Sequence, residues 1–220
     1  MPGKLRHIEI MDTTLRDGEQ TSGVSFSASE KLTIAQMLLT EVKVDRIEVA
    51  SARVSEGEFQ AVKKIVEWAG SKGFIDKIEV LTFVDGETSV NWMKETGAKV
   101  MNLLTKGSLN HLTHQLKKTP EQHFREIGEV IALASKNNIA CNVYLEDWSN
   151  GMRHSPEYVF QYLDFLSAQP VKRILLPDTL GILIPSETFE YISAIVNRYP
   201  TIHFDFHAHN DYYLGTANVL

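Results

Sequence analysis

His207 and His209, in the run His203-Phe204-Asp205-Phe206-His207-Ala208-His209, are the residues whose types and spacing point most directly to chemistry. Side chains alternate across an extended strand, so these two imidazoles share a face and can close on one divalent ion. A lone His-x-His is a weak signal, because histidines also occur as packed or surface residues. Far away in sequence, Asp12-Thr13-Thr14-Leu15-Arg16-Asp17-Gly18-Glu19-Gln20 places carboxylates after another apolar stretch. Taken alone, Asp17-Gly18 reads as a turn. Together, an aspartate, two histidines and water make a reasonable open catalytic metal site.

Such residues need elements to hold them. Short apolar runs recur at His7–Thr13, Arg46–Ser51, Lys77–Phe83, Lys99–Thr105, Ala140–Glu146, Arg173–Pro177 and Ile202–His207, and read as strands. Between them lie amphipathic helical segments. Ser29–Leu39 follows a Ser27/Glu30 capping box, and Glu58–Ala69 ends at Gly70 as a cap. Pro120–Lys136, Pro156–Ser167 and Pro185–Arg198 each open on a proline, which suits a first helical turn. Strands alternating with helices of this length predict βαβ units and a parallel sheet. The expectation is an α/β TIM (β/α)8 barrel forming one catalytic domain over residues 1–220, its eighth strand and following helix lying beyond the sequence. An open doubly wound sheet is the competing architecture, and no GxGxxG follows the first strand to support a dinucleotide version.

Several strands carry polar residues at one parity. Arg46 and Glu48 alternate with Ile47 and Val49, Asn142, Tyr144 and Glu146 with Val143 and Leu145, and every odd position of 203–209 is ionisable. Leu81 joins Glu79, and Leu104 joins Asn102, on that same side. Each set should point to one face, toward the barrel interior, with the late positions at the carboxyl-terminal mouth. Unpaired buried charges are expensive, so a buried ion-pair network is the alternative for Arg46, Glu79 and Asp205.

The net charge of −6 and pI near 5.8 argue against a nucleic-acid or anionic-membrane surface. One cysteine, Cys141, rules out an intrachain disulfide. No apolar run approaches the ~20 residues that span a membrane, and the first residues lack a signal peptide's apolar stretch, so a cytoplasmic protein is expected.

DTTLRDGEQ after the first strand, IEVA with Glu48 on the second and FHAHND on the seventh resemble the DRE-TIM metallolyases. LEDWSNG at 145–151 and LPDTLG at 176–181 add to the likeness. That family includes isopropylmalate, homocitrate and citramalate synthases and HMG-CoA lyase. The resemblance implies that Asp17, His207 and His209 bind a divalent metal (Zn, Mn or Mg). It implies that Arg16 polarises the acceptor's keto oxygen, that Glu48 orients Arg16 or the metal-site water, and that Glu146 takes part in deprotonating acetyl-CoA. Thr179 would bind the 2-oxo acid carboxylate, with Asp178 as its rival; Asn210 and Asp211 support the metal or cap a helix. A homodimer, acetyl-CoA as co-substrate and further catalytic residues beyond Leu220 are also implied.

Leu81, Leu104 and Tyr144 would present bulky, largely apolar groups to the acceptor's side chain. An apolar wall leaves a second carboxylate unpaired and two leucines with a tyrosine leave little room, so a methyl group fits best. Pyruvate is then the expected acceptor and (R)-citramalate, toward isoleucine, the product. The same reaction on 2-oxoisovalerate, giving 2-isopropylmalate, is the first alternative, and C–C cleavage of HMG-CoA-lyase type the second. Cys141 has the wrong parity for a lyase cysteine.

Overall fold

A computed structural model describes residues 8–220 of the chain. Seven strands alternate with helices: β1 (Met11–Asp12), α1 (Ala28–Met37), β2 (Arg46–Ser51), α2 (Glu56–Lys72), β3 (Ile78–Phe83), α3 (Thr88–Thr96), β4 (Val100–Lys106), α4 (Pro120–Lys136), β5 (Ala140–Glu146), α5 (Trp148–His154), α6 (Pro156–Ser167), β6 (Val171–Asp178), α7 (Pro185–Arg198), β7 (Phe204–Ala208) and α8 (Gly215–Val219). The strands form one sheet in the order β1-β2-β3-β4-β5-β6-β7, and β1–β2, β2–β3, β5–β6 and β6–β7 pair in parallel. A sequential order without reversal belongs to the TIM-barrel class of α/β folds, as expected. A doubly wound sheet would reverse its strand order at a switch point.

Most boundaries follow the sequence signals. Ser27 and Glu30 form the expected capping box, with Ser27 N–H donating to Glu30 Oε2 at 2.8 Å. Thr119 and Gln122 form another before Pro120, which needs no N–H partner at the first helical turn.

Four expectations change. The first strand is only two residues long, because Asp12 Oδ1 accepts the Thr14 N–H at 2.9 Å and turns the chain; His7, its expected start, lies outside the described residues. Helix α2 runs through Gly70 to Lys72 and is capped by Gly73 at φ +75°, since the left-handed cap conformation is what glycine supplies. Helices α3 and α5 were not foreseen. The first opens where Asp85 Oδ1 takes the Ser89 N–H at 2.9 Å, and the second is the LEDWSNG segment itself. Finally, the expected helix Ser29–Leu39 divides into α1 and a π-helical turn at Leu38–Val42, and its buried residues Lys31, Ala35 and Leu39 stand four apart.

Packing divides the chain into two compact units, one comprising residues up to Leu81 with Asn91–Met101, the other Thr82–Val90 with Asn102–Leu220. In the first, Ile47, Val49, Val62, Ile65, Ile78 and Val80 are wholly buried. In the second, Leu103, Val143, Leu145, Ile174, Leu175 and Leu176 are wholly buried, and α4 packs on α6 through Phe124 stacked 4.9 Å from Tyr162. Both faces of β2 are buried although it carries Arg46 and Glu48. The charges are paired: Arg46 lies 3.5 Å from Glu79 and 3.0 Å from Glu9. In the second unit Arg173 lies 3.7 Å from Asp205, and Asn142 donates to Asn102 at 2.7 Å. The ion-pair alternative for Arg46, Glu79 and Asp205 therefore holds.

Candidate active site

In the first unit the segment after β1 wraps round one carbonyl. Thr13 O accepts the backbone N–H groups of Arg16, Asp17 and Gly18 at 3.1, 2.8 and 3.1 Å. The turn reading of Asp17-Gly18 and the functional reading are thus the same structure. It presents Arg16 to Glu48, whose carboxylate is wholly buried on β2. Arg16 Nε donates to Glu48 Oε2 at 2.5 Å and Nη1 to Asp17 Oδ1 at 2.8 Å. A guanidinium is permanently charged and planar, so two carboxylates fix the direction of its fork. Leu81, on β3 of the same unit, is buried.

In the second unit the ends of β4 and β5 carry an ion pair between Lys106 and Glu146. Sequence reasoning missed Lys106, although extending the parity of Asn102 and Leu104 by one step reaches it. The end of β4 is braced from behind. Lys106 N–H donates to His123 Nε2 at 3.2 Å, and Lys106 O accepts from Tyr158 at 2.8 Å. Thr105 Oγ1 donates to Tyr144 O at 2.6 Å, and Tyr162 donates to Thr105 Oγ1 at 2.6 Å. Burial pushes the His123 imidazole down to about 4, and a neutral ring can accept the Lys106 N–H. Leu104 is half-buried and Tyr144 buried.

Asp147, also missed, turns the chain directly after Glu146 at φ +64°. Its backbone N–H donates to Thr179 Oγ1 at 2.9 Å, so the Thr179 hydroxyl keeps its own proton to donate. Its buried carboxylate accepts from Ser108 at 2.6 Å and Asn150 at 2.8 Å. Asp178, the rival to Thr179, is wholly buried and accepts the Leu183 N–H at 2.9 Å, a loop-holding role.

The turn after β6 clasps the end of β7. Asp178 O accepts the His209 N–H at 3.2 Å, and Gly181 O accepts the Tyr212 N–H at 3.3 Å. Beyond it, His207 Nε2 and His209 Nε2 stand 3.2 Å apart, both rings half-buried. Two imidazole nitrogens ~2.1 Å from one ion at an angle of about 100° have that separation, so the donor pair fits a shared divalent metal. Tyr144 meets the His207 ring edge to face, with centroids 6.3 Å apart. Asn210 Oδ1 accepts the Gly215 N–H at 2.9 Å and so caps the region of α8.

A family model described as HMGL-like matches residues 7–220. The chain is similar to 2-isopropylmalate synthase 2 of Caldanaerobacter subterraneus, 33% identical over 99% of this chain and 54% of that protein. It is similar to the homocitrate synthase of Sulfolobus acidocaldarius, 30% identical over 100% of this chain and 46% of that protein. The chain thus spans about half the length of the curated relatives it matches. Among solved structures, the HMG-CoA lyase of Brucella melitensis superposes with a TM-score of 0.72 at 18% identity, over 97% of this chain and 76% of that one, which shows the fold.

Proposed function

Because this chain belongs to the HMGL-like family, we propose that it is the catalytic domain of an enzyme condensing acetyl-CoA with a 2-oxo acid. One observation carries the reading: a single turn offers Arg16, braced by buried Glu48, beside Asp17. That is an oxyanion-binding cation next to a metal-ligand carboxylate. Asp17, His207 and His209 supply the protein's ligands to one divalent ion, Zn, Mn or Mg; among the described residues these three have the donor types for such a group. Bound there, the ion adds positive charge to polarise the acceptor's oxygens.

The chain's own residues do the rest. Arg16 donates to the keto oxygen and stabilises the negative charge that gathers there as the new C–C bond forms. The Thr179 hydroxyl donates to the acceptor carboxylate. Glu146 accepts a proton from the acetyl methyl group, and Lys106 holds that carboxylate in place. The resulting carbanion attacks the keto carbon, the keto oxygen takes up a proton, and water cleaves the thioester to release CoA. The whole protein works in the cytoplasm as a homodimer.

The relatives named 2-isopropylmalate synthase favour 2-oxoisovalerate as acceptor over the pyruvate expected from sequence. Pyruvate remains the second reading because Leu81 and Tyr144 are bulky and buried, which favours a small acceptor side chain. Only about 1–3 kcal/mol per methylene separates the two. CoA release is to be measured with pyruvate, 2-oxoisovalerate and 2-oxoglutarate, with chelator and with added Mg, Mn or Zn. The proposal expects chelator-sensitive turnover with a higher kcat/KM for 2-oxoisovalerate. A preference for pyruvate establishes the second reading, and no turnover with any 2-oxo acid refutes both.

A further inference from the structure

Lys31 is a charged residue that the reaction does not use, yet it is buried on the core-facing stripe of α1, 1% exposed. Its Nζ lies 3.1 Å from the carbonyl oxygen of Leu15, the residue before Arg16. It also lies 2.5 Å from Glu19 Oε2, two residues past Asp17, and 2.5 Å from Glu58 Oε1 on α2. The Val49 carbonyl, one residue past Glu48, is 3.5 Å away. Glu19 is tied a second time, its Oε1 accepting the Phe26 N–H at 2.8 Å.

These contacts converge on one point. A single ammonium grips the turn on both sides of Arg16-Asp17 and ties it to the strand bearing Glu48. An ammonium is a compact charge with donors only, which suits a site made of two carboxylates and two carbonyls. Such burial is costly unless every donor is met. Burial raises the Glu58 carboxyl above its ordinary value even though Lys31 pulls it down. An apolar residue at this place would satisfy the helix stripe equally well, so packing alone does not call for a lysine.

We infer that Lys31 is a positioning residue, an internal staple that fixes the Arg16 guanidinium against Glu48. The inference rests on Arg16 binding the acceptor oxygen.

Hydrogen exchange of the Arg16 side-chain Nε–H, followed by NMR in the full chain, tests the staple without relying on turnover. In the parent this proton should exchange at least tenfold more slowly than that of exposed Arg125. In Lys31→Met it should exchange within about threefold of Arg125, with helical circular dichroism retained and kcat reduced at least tenfold. A folded Lys31→Met whose Arg16 exchange and kcat stay within twofold of the parent overturns the inference. If that variant does not fold, Glu58→Gln decides, since it releases only one leg of the staple. Exchange at least threefold faster supports the inference, and exchange unchanged from the parent overturns it. Should the parent turn over no 2-oxo acid, the proposed function fails alone and the exchange measurements still decide the role of Lys31.

Discussion

Gly181 sits at φ +57°, and a Cβ there would stand 2.6 Å from the Asp211 nitrogen and 2.8 Å from the His209 carbonyl oxygen. Both contacts are with backbone, so neither can swing aside. Gly181→Ala should therefore cost about 1–3 kcal/mol of stability, and it should displace His209 as well. Calorimetry should find weaker Zn or Mn binding in this variant, alongside a lower melting temperature. Cys141 gives a prediction of the opposite kind. Burial pushes its thiol up to about 12, so it stays protonated and inert in the native state. A thiol reagent at pH 8 should leave the native chain unlabelled and label it once denatured. At this scale the sequence offered Glu48 and the His207–His209 pair by charge and parity, and Arg16 by the family resemblance of its motif. Lys106 shares the inner parity of Asn102 and Leu104 but, like Asp147 and Lys31, takes its role from contacts with residues 16 to 40 positions away, which the sequence does not display.

Behind the ends of β4 and β5, helices α4 and α6 contribute His123, Tyr158 and Tyr162, which hold strand backbone rather than ligand. The lowered value of His123 makes this brace sensitive to acid. Its imidazole is neutral when folded and titrates near 6.5 when unfolded, so its contribution is complete above pH 6.5. It is lost progressively as the pH falls through 6.5 toward about 4. The loss approaches about 3.5 kcal/mol, at about 1.4 kcal/mol for each unit between the two values. His123→Gln keeps an acceptor near the Nε2 position and does not titrate. In urea unfolding across that range, the stability gap between parent and variant should narrow by about that amount as the pH is lowered. The main helices were readable from capping boxes and first-turn prolines, which are local signals. Helix α3 was not, because Asp85 caps it through a turn, and neither was the two-residue β1, which the Asp12 side chain cuts short.

For the molecule as a whole, metal and fold should be linked, because ligands drawn from distant parts of the sequence meet an ion only in the native state. At a metal concentration of 100 Kd, binding adds about 2.7 kcal/mol of stability. The melting temperature should rise with Zn or Mn and fall back with a chelator. In His207→Ala the shift should vanish, while the metal-free melting temperature stays within a few degrees of the parent's. The alternation of strands and helices made the fold class readable, whereas the strand order emerges only from long-range pairing.

The approach of β4 to β5 has a consequence for how this sequence can change over time. A Cβ on Gly151 would fall 2.2 Å from the Gly107 carbonyl oxygen, and one on Gly107 would fall 2.5 Å from the Leu145 carbonyl oxygen. Lys106 and Glu146 are the immediate neighbours of those last two positions. Where a crowded side chain meets another side chain, a second substitution elsewhere can restore the fit. Here the opposing atom is main chain in both cases, common to all twenty amino acids, so no partner mutation relieves the crowding. A side chain at either glycine must therefore displace main chain next to Lys106 or Glu146, so both positions are closed to substitution while this backbone is kept.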